Sequence, residues 1–345
     1  MIYDSWEPHY EEHKSDYNDI FNLCMLSNNV EKINFPKVSE RQYSVPVASA
    51  TDALQFSLMA YDIGPGDEVL VSNFSWISSS SCISMVGATP VFCDIDLNTY
   101  TMSLQSIMKM TSEKTKALVY THLYGDITED VEEIEQYCKE NNIIFVEDSA
   151  QSLGASNKNG RKAGTFGDCS SFSFNSNKNI AGINGGGVFL TDDQSKAEFV
   201  DKVSRHGRNE FLGRNSKAYL LNTEIIKFRM KFLNEIMERK QQIAQKYNDE
   251  LEFDFACPRI HEGHNFHKYV IRFENHKDRE LARKQGFSVH YSLPLSENTM
   301  YKTIEHKKDE CINSAIAANT VLSLPIHPYV TDEEIDITVN KLLML

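Results

Sequence analysis

Short apolar runs alternate along the chain with stretches in which apolar residues recur every three or four positions. Val69–Ser72, Pro90–Cys93, Lys116–Tyr124, Ile143–Val146, Ser170–Phe174 and Gly187–Thr191 read as strands, most of them buried on both faces. Between them lie helical spacings. Leu54, Leu58 and Tyr61 share one face, Ile77–Val86 forms a run stopped by Gly87, and Asp130–Asn142 turns Val131, Ile134, Tyr137 and Cys138 inward. This order of strand and helix predicts a largely parallel sheet with helices on both faces. Further on, Leu221, Ile225, Phe228, Phe232, Ile236, Ile243, Tyr247 and Leu251 trace one long stripe, with Glu235 and Arg239 as a supporting i,i+4 pair. Before Tyr43 the pattern is weak, with a short amphipathic helix over Asp19–Leu26.

The chain thus divides into an N-terminal segment (1–42) expected to pack with the small domain, and a large α/β domain (43–220). A linking helix (221–252) and a smaller C-terminal α+β domain (253–345) follow. At 345 residues such a division into one large and one small domain is natural.

Composition narrows the functions. With 41% hydrophobic and 24% charged residues this is an ordinary globular protein, and its net charge of −14 argues against nucleic acid and anionic membrane as partners. The seven cysteines stand singly, with no C-x-x-C pair, as suits reduced thiols in a cytoplasmic protein. The opening MIYDSWEPHYEEHKSDY is too polar for a signal peptide, and no apolar run reaches membrane-spanning length.

The chemistry gathers between Ile143 and Gly187. The strand Ile143–Val146 runs into Glu147-Asp148-Ser149-Ala150-Gln151, which places an acid at the carboxyl end of a parallel strand, where such sheets collect ligands. Lys178 follows the next strand in a polar, glycine-rich loop. An acid, a lysine and hydroxyls around one sheet edge suit pyridoxal phosphate chemistry. Upstream, Ala48-Ser49-Ala50-Thr51 opens a helix with small residues, capped by Ser49 or Thr51, and free N–H groups there suit a phosphate.

EDSAQS, FGDCSSFSFNSNKN and the closing GGG resemble the sugar aminotransferases of the DegT/DnrJ/EryC1/StrS family. IGPGDEV, GATPVFCDID and the C-terminal HYSLPL and LSLPIHP extend the resemblance from about residue 43 to the end. It implies the pyridoxal-phosphate-dependent transferase fold type I, a homodimer, and amino transfer from L-glutamate to a nucleotide-linked keto-sugar. It further implies that Lys178 forms the Schiff base with pyridoxal 5′-phosphate and that Asp148 pairs with the pyridinium nitrogen. Gln151 would sit at the 3′ oxygen, Trp76 would stack on the ring, and Ser173 with the amides of Ala50 and Thr51 would bind the phosphate. Asn215 would reach the phosphate of the partner subunit. His122, Lys217, His290 and Tyr291 fall at substrate-binding positions. Ala50 stands where the family has glycine, Lys217 where it has arginine, and LLNTEII where it has I-Q-A-A.

Rival readings are weaker. His261, His264 and His267 are spaced three apart, but they lack the Glu of H-E-x-x-H, and no metal is expected. GINGGG is not the dinucleotide fingerprint, which speaks against a nicotinamide enzyme. The same family contains a deoxygenating dehydratase branch with histidine at the lysine position, and Lys178 argues against that too.

Overall fold

The structure, a computed structural model, describes residues 6–26 and 35–345. Two short helices, α1 (Glu7–Glu12) and α2 (Lys14–Leu26), precede the first strand, β1 (Tyr43–Val47). Then come α3 (Ala50–Ala60), β2 (Glu68–Ser72), α4 (Ser78–Met85), β3 (Thr89–Cys93), α5 (Leu104–Met110), β4 (Thr115–Thr121), α6 (Val131–Glu140) and β5 (Ile144–Asp148). Strands β6 (Cys169–Ser173) and β7 (Gly187–Thr191) lead to α7 (Gln194–Val203), α8 (Leu220–Met230) and α9 (Leu233–Leu251).

Among the described residues the main sheet has the order β1-β7-β6-β5-β4-β2-β3-β9, with β9 (Lys307–Lys308) returning from the C-terminal region. Only β7 opposes the rest, through antiparallel pairing with β1 and β6. The remainder of the C-terminal segment pairs β8 (Tyr269–Arg272) with β10 (Val321–Leu324) against α10 (His276–Lys284), α11 (Ile312–Thr320) and α12 (Asp332–Leu343).

Each central strand is buried on both faces, so the period of two sends neighbours into different cores. Leu70, Leu118, Tyr120 and Phe145 join one apolar cluster, while Val69, Val71, Val119 and Val146 join another. The same alternation sends Glu147 to the Phe145 side and Asp148 to the Val146 side. Register then aligns the strand ends, with Thr121 opposite Asp148 and Asp148 opposite Ser171.

The helical stripe of 221–252 is not one helix. It breaks between Met230 and Leu233 into α8 and α9. The expected Glu235–Arg239 pair does not form, because Arg239 reaches instead to the Val330 carbonyl and Asp332. The N-terminal helices lie on α8, where Tyr17 packs with Ile225 and Phe228, and Trp6 stacks on the Arg229 guanidinium. The helix expected over Asp19–Leu26 starts earlier, at Lys14.

One glycine fixes the position of α3. A Cβ on Gly187 would lie 2.3 Å from the Ser49 carbonyl carbon and 2.4 Å from the Ala50 nitrogen, both backbone atoms that cannot swing aside. Gly187→Ala should therefore destabilise by about 1–3 kcal/mol. Gly64→Ala, whose added methyl meets only a carbonyl oxygen at 3.7 Å, should change stability little. Chemical denaturation of the two variants separates these outcomes.

Candidate active site

Strand order reverses between β4 and β2, since β3 continues outward beyond β2 while β5, β6 and β7 build on the other side. A crevice at such a switch point is where open α/β sheets bind ligands. Asp148 stands there, buried, and three groups donate to its carboxylate. Ser79 Oγ from α4 lies at 2.8 Å from Oδ2, Thr121 Oγ1 from the end of β4 at 3.2 Å from the same oxygen, and the Ala150 N–H at 3.1 Å from Oδ1. These donors fix the orientation of the carboxylate toward the crevice. No arginine or lysine pairs with it among the described residues.

Lys178 lies in the loop after β6, its N–H bonded to the Asn175 carbonyl, and its amine makes no hydrogen bond among the described residues. Burial lowers its pKa to about 8, with Asp148 pulling it up and Lys268 pushing it further down. An appreciable minority of the amine is thus neutral near physiological pH.

The start of α3 is capped by Ser49, one of the two residues the sequence offers. Ser49 caps α3 by accepting from the Asp52 N–H at 3.1 Å, leaving the first amides of the helix, at Ala50 and Thr51, for an anion. Thr51 Oγ1 is 2.8 Å from Ser78 Oγ, and Ser173 ends β6 directly opposite Gly187. A clamp that sequence reading missed secures this helix end. Asp52 is ion-paired with Arg214 and accepts from Ser216 Oγ at 2.6 Å, while the Ala48 N–H donates to the Ser216 carbonyl at 2.8 Å. Arg214 offsets a carboxylate that would otherwise repel an anion.

The remaining candidates fall into two groups. Trp76 is 57% exposed beside Tyr291, their ring centroids 6.1 Å apart, so its face is open to a ring. Gln151 donates to Tyr291 Oη at 3.2 Å and accepts from the Tyr124 N–H at 3.0 Å, which holds it on the same crevice. His290 bonds Ser323 Oγ at 2.9 Å and lines the cleft that holds Lys178. Lys217 is bridged to Val47 at the edge of the phosphate turn, and Asn215 is exposed in the same loop.

His122 goes elsewhere. It is fully buried and bonded to Glu147 Oε1 at 3.0 Å, with Glu147 also accepting from Ser149 Oγ and the N–H groups of Gly164 and Phe166. This network lies on the face opposite Asp148. It leaves His122 no surface to offer a substrate, which corrects the expectation of a substrate contact.

The spaced histidines also part company. Asp126 takes His261 Nε2 at 2.7 Å and the Arg259 guanidinium at 2.8 Å, with His264 alongside. The arginine neutralises the carboxylate that a cation would need. His267 points instead into the Lys178 cleft, a volume of 610 Å³ that Lys240 and Lys268 also line. Neither lysine was singled out by its sequence surroundings, since each sits in an ordinary amphipathic context.

The amine of Lys178 should titrate near pH 8 in cofactor-free protein. Its rate of reductive methylation, followed by peptide mass mapping, should rise through that pH and then level off as the neutral form saturates. A rate still climbing at the ordinary lysine value would contradict the burial argument.

Comparison with known proteins bears on this site. The sequence model of the DegT/DnrJ/EryC1/StrS aminotransferase family matches residues 28–343. A dTDP-3-amino-3,6-dideoxy-α-D-galactopyranose transaminase of Aneurinibacillus thermoaerophilus is 33% identical, covering 86% of this chain and 83% of that protein. A UDP-N-acetyl-3-dehydro-α-D-glucosamine 3-aminotransferase of Acidithiobacillus ferrooxidans is 31% identical, covering 85% and 81%. Among solved structures, NtdA of Bacillus subtilis with bound cofactor PMP superposes with a TM-score of 0.86 at 22% identity, over 96% of this chain and 82% of that one.

Proposed function

The chain belongs to the DegT/DnrJ/EryC1/StrS aminotransferase family, and on that premise we propose that it transfers an amino group from L-glutamate to a nucleotide-linked keto-sugar, using pyridoxal 5′-phosphate. The observation that carries this reading is the pairing of a buried, unpartnered Lys178 with an Asp148 held by three hydrogen bonds across one crevice. The residues present fit the cofactor. Asp148 can hold a proton on a pyridine nitrogen, Trp76 offers an open aromatic face, and the capped start of α3 offers amides for a phosphate. The cofactor, when bound, supplies an electron sink for a carbanion at the amino-bearing carbon.

The protein's own groups do the rest. Lys178 is the proton shuttle: its neutral amine can accept a proton from the donor's Cα and return it elsewhere, because burial lowers the cost of deprotonating it. Asp148, fixed by Ser79, Thr121 and the Ala150 amide, would hold a proton on the ring nitrogen of the bound cofactor. Tyr291 and Gln151 brace each other in the crevice. The nucleotide-linked substrate is supported by the names of the two curated relatives, one acting on a dTDP-sugar and one on a UDP-sugar.

A homodimer follows from the same reading. Asn215 stands exposed in a loop that also exposes Leu212 and Tyr219, at 93% and 60%. Such an apolar rim around a polar residue suits a surface covered by a second copy. Among the described residues no helix is long and apolar enough to cross a membrane, and we place the enzyme in the cytoplasm.

Two experiments test this. Purified protein with pyridoxal 5′-phosphate should absorb at about 410–430 nm, and borohydride should abolish the band while fixing the cofactor to Lys178. Asp148→Asn should keep the fold and bind cofactor yet slow amino transfer on the order of a hundredfold. Attachment at Lys158 or Lys162, or near-normal turnover of Asp148→Asn, would sink the assignment.

The dimer has its own test. Asn215→Ala and Lys178→Ala homodimers should both be poor or inactive. Mixed dimers should regain one site of the two, because one site then carries both defects and the other neither. Heterodimers that form without regaining activity would confine Asn215 to its own subunit.

A further inference from the structure

The 610 Å³ cleft that Lys178 shares with α9 and the C-terminal segment is lined by Lys178, Lys240, Lys268, Lys341, His267 and His290, and by no aspartate or glutamate. In a chain of net charge −14 an acid-free, lysine-rich wall is not what a solvated surface would present.

Lys240 is the telling member. It is 4% exposed, and its amine makes a single hydrogen bond, to Asn179 Oδ1 at 2.6 Å. No carboxylate pairs with it among the described residues. Burying an ammonium without a counter-charge costs several kcal/mol. Lys268 is half-buried nearby and also lacks an acid partner. Burial first, and then mutual repulsion, hold the basic groups below their ordinary pKa values: Lys268 acts on Lys240, and Lys178, Lys268 and Lys240 act on His267. The fold thus assembles cations that oppose one another and supplies no anion to offset them.

We propose that this cleft is an oxyanion subsite that holds a carboxylate of the amino donor, with Lys240 and Lys268 as its cations and Asn179 positioning the first. The proposal rests on the aminotransferase reading and names the residues that select the donor. An oxyanion here could come from the donor's carboxylate or from the acceptor's diphosphate. Chemistry favours the donor. In an α-amino acid the carboxylate is bonded to the same carbon as the reacting amine, so its site must lie next to Lys178. Asn179 is the residue after Lys178, and the charge of Lys268 is felt at the Lys178 amine. A diphosphate, by contrast, is separated from the keto carbon by part of a sugar ring and belongs farther out.

The test uses the cofactor-loaded enzyme and two unreactive probes, glutarate and inorganic pyrophosphate, in titration calorimetry. Lys240→Met and Lys268→Gln should each weaken glutarate binding by about tenfold or more. Both should leave the affinity for pyrophosphate and the cofactor absorbance band unchanged. If Lys240→Met fails to fold, the half-buried Lys268→Gln carries the test. Unchanged glutarate affinity in folded Lys268→Gln, no glutarate binding by wild type, or a loss confined to pyrophosphate would each overturn the proposal. A wild-type protein that binds glutarate but shows no cofactor band would instead overturn the functional reading and leave the subsite standing.

Discussion

Two adjacent carboxylates, Glu147 and Asp148, are buried at the end of β5, and the structure around the site depends on how each is satisfied. A buried carboxylate is tolerated only when it is paired or richly hydrogen-bonded. Because strand residues alternate in direction, the two cannot share partners. Glu147 gathers His122, Ser149 and the amides of Gly164 and Phe166 on one face. Asp148 gathers Ser79, Thr121 and the Ala150 amide on the other. The first set ties the β5–β6 connection to β4. The second ties α4 and β4 to the site. Between them they fix the direction of Asp148, the acid that faces the crevice.

Charge is separated across this crevice. On the sheet side Asp148 carries a negative charge held by neutral hydroxyls and an amide, without a lysine or arginine to quench it. On the other side lie the lysines and histidines of the cleft, without an acid. Lys178 stands between them and feels both: Asp148 raises its pKa while burial and Lys268 lower it. A salt bridge between Lys178 and Asp148 would have been the simpler local arrangement. It would also have locked the amine in its charged form and tied up the acid proposed to face the cofactor's ring nitrogen. The hydroxyls of Ser79 and Thr121 stabilise Asp148 without that penalty.

Much of this was legible in the sequence where the signal is local. The apolar runs gave most strands within a residue or two, though β4 stops at Thr121, three residues short of the run that ends at Tyr124; small residues gave the start of α3, and Lys178 and Asp148 stood out through their flanking motifs. What depends on distant partners was not legible. His122 matched a family position, yet its neighbour across β4 and β5 is Glu147, which turns it inward. Three evenly spaced histidines looked like one group, but the loop sends His261 and His264 to Asp126 and His267 into the cleft. The stripe over 221–252 keeps its apolar period through Phe232, so the break before Leu233 leaves no mark in spacing. Arg239 abandons Glu235 because the Val330 carbonyl and Asp332 lie within its reach, and both come from the far end of the chain.

The same reach explains why the site cannot form from the large α/β region alone. Asn265 donates to the carbonyls of Gln151 and Leu153 at 3.0 Å each, and accepts from the His267 N–H at 2.8 Å. One buried side chain therefore joins the loop after Asp148 to the segment that supplies His267 and Lys268. Tyr124, after β4, hydrogen-bonds the His290 carbonyl, and Gln151 meets Tyr291. Tyr124 and Tyr291 also share one apolar cluster with Phe74, Leu123, Val270 and Ala317, so loss of the junction would both open a cavity and leave buried polar groups unsatisfied. Unsatisfied buried donors and acceptors cost more than the net gain from making the bonds. The docking of the two regions is accordingly specific in geometry: a small misplacement breaks several of these bonds at once. That sharpness sets Lys178, which follows β6, against Lys268, which precedes β8, with a separation that neither region could fix alone.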